Sequence, residues 1–504
     1  MELVVNGFLS IGNPLCLTVI LVGVIIGIVF GAMPGLSTTM AVALFLPVTY
    51  GLESTAAMAL LMGLYIGAIS GGLVSAILLK IPGTPSSVAT CWDGHPMAAN
   101  GQAIKALGAG VVFSFLGSVI SIVALMFISP PLARLATTFG FYEYFSIALF
   151  SLTMIASLSS GAVKKGVFSG VLGFMFATVG IAPIDATQRF TFGQPALMGG
   201  FQQLPVLIGL FAVSEMLAAV RVAKFDQEAQ VTTPDLTGVK GFGFSMREFF
   251  TQLPNMLRSA LIGIGIGILP GIGGGTSNIL SYTIAKNQSK HPEAFGTGIL
   301  DGIVASETAN NASVGGAMIP LLTLGIPGDT VTAMLLGGLM MHGLTPGPLL
   351  FTKSAELVYS IFASLMVASI LMLVVEFYGL RIFARLLNIP KYILLPLVFM
   401  LCVIGAYGNS SRIFDVYAIL IFGVIGYLFS VFKIPAAPFI LGFILGPMAE
   451  TNLRRGLQLS RGSYLPFLTH PISCLFLIIA FLCLALNIYK ELKPYLKARQ
   501  RRVS

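Results

Sequence analysis

The stretch Asp301–Gly316, reading DGIVASETANNASVGG, sets a carboxylate and two carboxamides on one helical face, with Glu307, Asn310 and Asn311 at positions i, i+3 and i+4. Oxygen ligands of this kind suit a hard cation such as sodium, and the carboxylate alone suits a transferable proton. Asp301 opens the same segment and completes the set of candidate ion-coupling residues. Polar groups deep in an apolar chain usually face a cavity or a partner. The residues leave a second arrangement open, in which Asp301 and Glu307 pair with Lys286 or Lys290 in an interfacial loop.

Four Pro-Gly breaks in the apolar runs matter here: Pro34-Gly35, Pro82-Gly83, Pro270-Gly271 and Pro327-Gly328. Glycine lacks a Cβ, and proline lacks an N–H and crowds the preceding turn, so each pair breaks a helix. Small or polar residues follow every break. They are Ser37, Thr38 and Thr39; Thr84, Ser86 and Ser87; Gly273, Gly274, Gly275 and Thr276, with Ser277 and Asn278 behind them; and Asp329, Thr330 and Thr332. Helices restarting there would offer free N–H groups and positive dipole ends, which can hold a carboxylate without a large buried positive charge. A kink or a tight helix crossing accounts for a single break of this sort. Four breaks in matching positions favour a binding site.

These residues sit in a chain whose composition defines its solvent. Of 504 residues, 56% are hydrophobic and 9% are charged, and the mean hydropathy is +0.93. So few charges cannot cover a water-facing surface, since soluble domains carry roughly 25%. Runs such as Leu15–Met33, Ala106–Ile128, Ile361–Val375 and Ile472–Leu486 fit membrane spans. About ten to thirteen such segments can be marked, some too short to cross fully. The expected fold is an all-α polytopic membrane protein. The net charge of +9 reflects Lys and Arg gathered in Arg221–Arg258 and in the tail Lys490–Arg502, as expected of cytoplasmic loops rather than of nucleic-acid binding.

The halves resemble each other. GAMPGLSTT (Gly31–Thr39) matches GILPGIGGG (Gly267–Gly275) at an offset of 236. Gly71-Gly72 followed by Ile81-Pro82-Gly83 matches Gly315-Gly316 followed by Ile326-Pro327-Gly328 at an offset of 244–245. This order implies an internal duplication. Met1–Asn6 carries a Glu and no Lys or Arg, which places the N-terminus outside and argues against a cleaved signal peptide. With the central loop inside, the first half crosses an odd number of times and the repeats are inverted, with broken or re-entrant helices, as in many secondary transporters. The expected plan is a first repeat over 1–220 and a cytoplasmic linker over 221–258 whose Met246–Leu257 lies on the membrane face as a helix. A second repeat over 259–465 follows, then an extra span and a basic cytoplasmic tail over 466–504.

Other polar residues are less informative. Asp93-Gly94-His95-Pro96-Met97 reads as a polar turn, either gate or connector. Lys80 either snorkels to an interface or helps to hold an anion. His95, His291, His342 and His470 lie far apart, and the five cysteines lack metal-like spacing, so no metal site is expected. No H-E-x-x-H or G-x-S-x-G motif suggests an enzyme.

At these motifs the chain resembles the large membrane permease subunit of the tripartite tricarboxylate transporters, the TctA-like family. The likeness is carried by Gly31–Pro47, Ile81–Gly94 with Gly101-Gln102-Ala103, Leu269–Tyr282, Phe295–Asn311 and Ile319–Leu336, and spans roughly residues 10–470. The resemblance implies a bacterial inner-membrane permease working with a small four-helix membrane subunit and a periplasmic solute-binding protein. It implies uptake of citrate-like di- or tricarboxylates driven by a sodium or proton gradient, with no other cofactor. Pro34, Gly35, Ser37, Thr38, Thr39, Gly83, Thr84, Ser86, Ser87, Pro270, Gly271, Gly273, Gly274, Gly275, Thr276, Gly328, Asp329 and Thr330 are the candidate substrate-binding residues. An ion or anion channel, or a carboxylate exporter or exchanger needing no binding protein, remains the alternative. A channel would want a continuous polar lining, whereas here the polar residues gather in four short breaks.

Overall fold

The computed structural model describes residues 2–158, 163–223, 241–386 and 391–485, together with Tyr489. The basic tail beyond that point, and Thr232, Thr233, Pro234 and Asp235 of the expected linker, lie outside the described residues.

The first half runs α1 (Glu2–Ile11), α2 (Pro14–Ala32), α3 (Thr38–Phe45), α4 (Ser54–Leu79), α5 (Thr90–Met97), α6 (Ala103–Ala136), α7 (Phe141–Leu158), α8 (Val163–Ala177), α9 (Pro195–Met198), α10 (Gln203–Leu207) and α11 (Ser214–Ala223). The second runs α12 (Met246–Ile268), α13 (Gly273–Gln288), α14 (Leu300–Leu324), α15 (Thr330–Met341), α16 (Leu350–Lys353), α17 (Ala355–Leu386), α18 (Lys391–Ser410), α19 (Ile413–Phe432), α20 (Ala436–Leu459) and α21 (Leu465–Thr469). A two-residue hairpin, Gly180–Ile181 against Gln188–Arg189, is the only sheet among the described residues.

Six helices among the described residues are long and apolar enough to cross a membrane, and six shorter apolar helices of 10–17 residues accompany them, including Pro471–Ala485. The expected ten to thirteen segments are reached only with these shorter helices. Leu15, Leu17, Leu21, Val22 and Ile25 of α2 are exposed, as are Leu420, Ile421, Val424 and Leu428 of α19, a surface suited to lipid. The chain is an all-α polytopic membrane protein.

Two central helices organise the bundle. Helix α4 is apolar all round and wholly buried across its span, and α14 is buried without interruption from Gly302 to Thr323. Each packs against a partner helix with backbones almost touching. A Cβ on Gly71 would lie 2.5 Å from the Ile28 carbonyl oxygen, and one on Gly316 would lie 2.6 Å from that of Ile264. The same holds at the breaks: a Cβ on Gly83 would stand 2.1 Å from the Gly31 oxygen, and one on Gly328 would stand 2.5 Å from the Gly267 oxygen. Both pairings repeat at the offsets read from the sequence, so α2–α5 and α12–α15 are built alike.

The caps repeat too. Thr84 begins the short turn Pro85–Ser87 with a capping box to Ser87, and Asp329 begins α15 with a capping box to Thr332. Helix α4 ends on Lys80 (φ 58) and α14 ends on Gly325 (φ 71), both left-handed.

Two local expectations differ from the structure. Asp93–Met97 is not a turn but part of helix α5; the backbone leaves helical geometry later, at Asn100 and Gly101, where Gly101 takes φ 78. Met246–Leu257 is not a separate surface helix. Ser245 and Glu248 cap it as a box, and it continues through Pro254 to Ile268, because the interval after Ser259 is apolar and holds no proline before Pro270.

Candidate functional site

The breaks meet crosswise. After Met33, Pro34-Gly35 turns the chain, Gly35 at φ 89, and Ser37 caps α3 by accepting from Met40 N at 3.1 Å. The hydroxyl of Thr39, in the first turn of α3, lies 3.0 Å from that of Thr330, which opens α15 in the other half. The reciprocal pairing joins the remaining two breaks. Pro270-Gly271 leads into α13, which has no side-chain cap, and its Gly274 and Gly275 back onto Pro85 and Ser86; a Cβ on Gly274 would lie 3.2 Å from Ser86 Cβ. Asp329 links the two pairings, since a Cβ on Gly273 would stand 2.8 Å from Asp329 Cβ.

The seam so formed collects the N-terminal ends of α3, α13 and α15, all positive dipole ends. Asp329 is the carboxylate at the start of α15, and it is fully engaged: Oδ1 accepts from Thr332 N and Oγ1, both at 2.7 Å, and Oδ2 accepts from Tyr65 OH at 2.7 Å. The Thr38 hydroxyl is buried without a hydrogen-bond partner. Thr84 lies 3.1 Å from Ser86, hydroxyl to hydroxyl, and Ser87 donates to Thr84 O at 2.9 Å. Gly83 and Gly328 serve the seam from behind by letting each half close on itself. Thr276 is exposed and makes none of these contacts. Ser37 is drawn partly elsewhere, donating to Glu215 Oε2 at 2.9 Å.

A second buried cluster surrounds Glu307. Its Oε1 contacts the Thr90 hydroxyl, and Oε2 accepts from Ser114 at 3.0 Å and from Asn311 Nδ2 at 3.4 Å. Asn311 Nδ2 also lies 2.8 Å from Ser114 Oγ. Asn278 closes the cluster, donating to Thr90 Oγ1 at 3.4 Å and to Ser306 O at 3.2 Å. No Lys or Arg contacts Glu307 among the described residues. Asn310 reaches both ways: its side chain hydrogen-bonds Glu307 and its Nδ2 lies 3.4 Å from Ile69 O, while its Oδ1 stands 2.7 Å from a Cβ built on Gly274. Asn310 therefore joins the Glu307 cluster to the seam. Asp301 stands apart, accepting from Gln252 Nε2 at 3.0 Å, and pairs with neither Lys286 nor Lys290.

Several residues of these clusters escaped the reading of the sequence. Thr90 and Ser114 lie far from Glu307 along the chain, and Tyr65 is hidden inside the apolar run of α4. Asp93, which the sequence marks as gate or connector, is fully buried: it takes Gly296 N, Gly298 N and Ile299 N on Oδ1 at 2.9, 2.9 and 3.1 Å and Tyr282 OH on Oδ2 at 2.8 Å. It clamps the loop before α14, which favours the connector over the gate. Outside the spans, Asp185 is held at about 2 by the guanidinium of Arg454 and by Thr187.

Helices broken in matching places, meeting around buried polar groups inside an apolar bundle, are the build of a membrane transporter. Over residues 17–441 the chain matches the Tripartite tricarboxylate transporter TctA family, and it belongs to that family. It is 34% identical over 496 residues to an uncharacterized 52.8 kDa protein in the TAR-I ttuC' 3'region of Agrobacterium vitis, with 98% of each chain covered. An uncharacterized protein in the TAR-II ttuC' 3'region of the same organism is 36% identical over 228 residues, covering 45% of this chain and 94% of that one. No solved structure matches.

Proposed function

We propose that the chain is the large permease subunit of a binding-protein-dependent secondary transporter that takes up small di- or tricarboxylates on a sodium or proton gradient. The observation that carries this reading is the crosswise meeting of the breaks, with Thr39 of one half against Thr330 of the other. Three helix N-termini then converge where a carboxylate would replace neighbouring hydroxyls, and the cargo's charge is met by backbone N–H groups rather than by a buried cation. Thr38, Thr39, Ser86, Gly274, Gly275 and Thr330 are the contacts, with Asp329 a fixed cap between them. Glu307, with Thr90, Ser114 and Asn311, supplies the coupling site, and the free Oδ1 atoms of Asn310 and Asn311 are available to a sodium ion.

In this reading the duplicated halves are inverted across an inner membrane. The N-terminus is periplasmic, and the linker and tail are cytoplasmic, where the Lys and Arg residues collect. A small membrane subunit and a periplasmic solute-binding protein complete the system. Reconstitution of the chain with both partners tests the proposal. Labelled citrate or succinate should accumulate above its external concentration when an inward sodium or proton gradient is imposed, and stop when the gradient is collapsed. Flux that never exceeds equilibration would assign a channel instead.

A further inference from the structure

Beyond the seam, the far end of α13 borders an open cavity of about 480 Å³ lined by Lys80, Trp92, Tyr282, Thr283, Lys286 and Phe295 among others. Its charge has one sign among the described residues: two ammonium groups border it and no carboxylate does. Asp93, the acid beside Trp92, is fully buried, and both its oxygens are taken by Tyr282 OH and three backbone N–H groups. Neither lysine has an acidic partner among the described residues. The rings form a continuous wall, with centroids 4.8 Å apart for Trp92 and Tyr282 and 5.3 Å apart for Tyr282 and Phe295.

Lys80 itself is placed against backbone preference. It holds the left-handed end of α4 at φ 58, whereas the matching position of the second half is Gly325 at φ 71. Glycine enters that region without steric cost and lysine does not, so the first half keeps a charged side chain where its duplicate does without one. The cavity also has a definite place. Arg258 donates to Gln288 Oε1 at 2.9 Å, and Asn255 donates to Asp301 O at 3.0 Å, so the middle of α12, further from the linker than Glu248, is tied to the end of α13 and the start of α14. It therefore opens on the face where the linker enters. Along α13, Gly275 at the seam and Lys286 at the cavity are roughly 16 Å apart at helical rise.

We propose that this cavity is a second anion site, at the linker-side mouth of the seam, where Lys80 and Lys286 bind the carboxylates of the cargo and the aromatic wall meets its carbon skeleton. The identity of the cargo rests on the carboxylate reading above. A phospholipid phosphate offers the same anionic chemistry, and the experiment separates the two sources.

Trp92 is the chain's only tryptophan, so its fluorescence reports this cavity directly. In nanodiscs of phosphatidylcholine, citrate and succinate should shift its emission saturably, and added salt should weaken the response. The double variant Lys80→Gly/Lys286→Gln should need several-fold more anion. Lys80→Gly introduces the residue the other half already carries, so the charge is removed without a new backbone demand. A lysine-dependent shift produced by phosphatidylglycerol alone, with no effect of citrate or succinate, keeps the anion site and assigns it to lipid. No shift with any of these anions, or an equal response in the double variant, overturns the proposal. Uptake in proteoliposomes is read separately: a lysine-dependent citrate signal without uptake leaves this site standing and removes the transport reading, and uptake without the signal does the reverse.

Discussion

Tyr65, midway along α4, points its hydroxyl at Asp329 Oδ2 across 2.7 Å, joining the central helix of one half to the cap of α15 in the other. Removing that hydroxyl leaves a buried carboxylate oxygen without its donor, a cost of about 1–3 kcal/mol. Tyr65→Phe should lower the melting temperature of the purified protein and slow uptake. An unchanged melting curve would show that the contact contributes nothing to the junction.

The two glycines that let each half close on itself should behave alike. A methyl at Gly83 or Gly328 has no room beside the Gly31 or Gly267 carbonyl, and overpacking of this kind costs about 1–3 kcal/mol. Gly83→Ala and Gly328→Ala should each reduce the amount of folded protein recovered from membranes, to a similar extent. A large loss from one and none from the other would break the equivalence of the halves.

Glu307 has a different expected signature. Glu307→Gln keeps the shape and much of the hydrogen bonding with Ser114 and Thr90 but removes the charge. The protein should reach the membrane in normal amount and lose gradient-driven uptake. Wild-type uptake by this variant would remove Glu307 from the mechanism.

The seam can be locked. In a variant lacking the native cysteines, Thr39→Cys and Thr330→Cys replace two hydroxyls 3.0 Å apart, so their sulfurs are within easy reach of a disulfide. Oxidation should link the halves and abolish uptake, and a reductant should restore both. Uptake that persists in the fully linked protein would show that transport does not require the seam to open.

What the sequence disclosed followed from chemistry that is local along the chain. Pro34-Gly35 and its three counterparts announce themselves because no other residue pair breaks a helix so plainly, and Glu307 and Asn311 share a face through helical spacing alone. Asn310 shares that face too, hydrogen-bonding Glu307, but its further neighbours Ile69 and Gly274 could not be read from spacing. Thr90, Ser114 and Tyr65 stayed hidden because serine, threonine and tyrosine are ordinary inside membrane helices, and only packing brings these to a carboxylate. The helix end expected at Leu257 is absent because the charge composition changes there while the helix continues to Ile268.

Because each side of the seam is met by the opposite half, with Thr39 against Thr330 and Gly274 against Ser86, cutting the chain at its middle would not leave two smaller copies of the seam. Either fragment would keep two breaks and lose the partner of each. Joining the halves in one chain therefore keeps both pairings together; a lone half would need a second copy to form either of them.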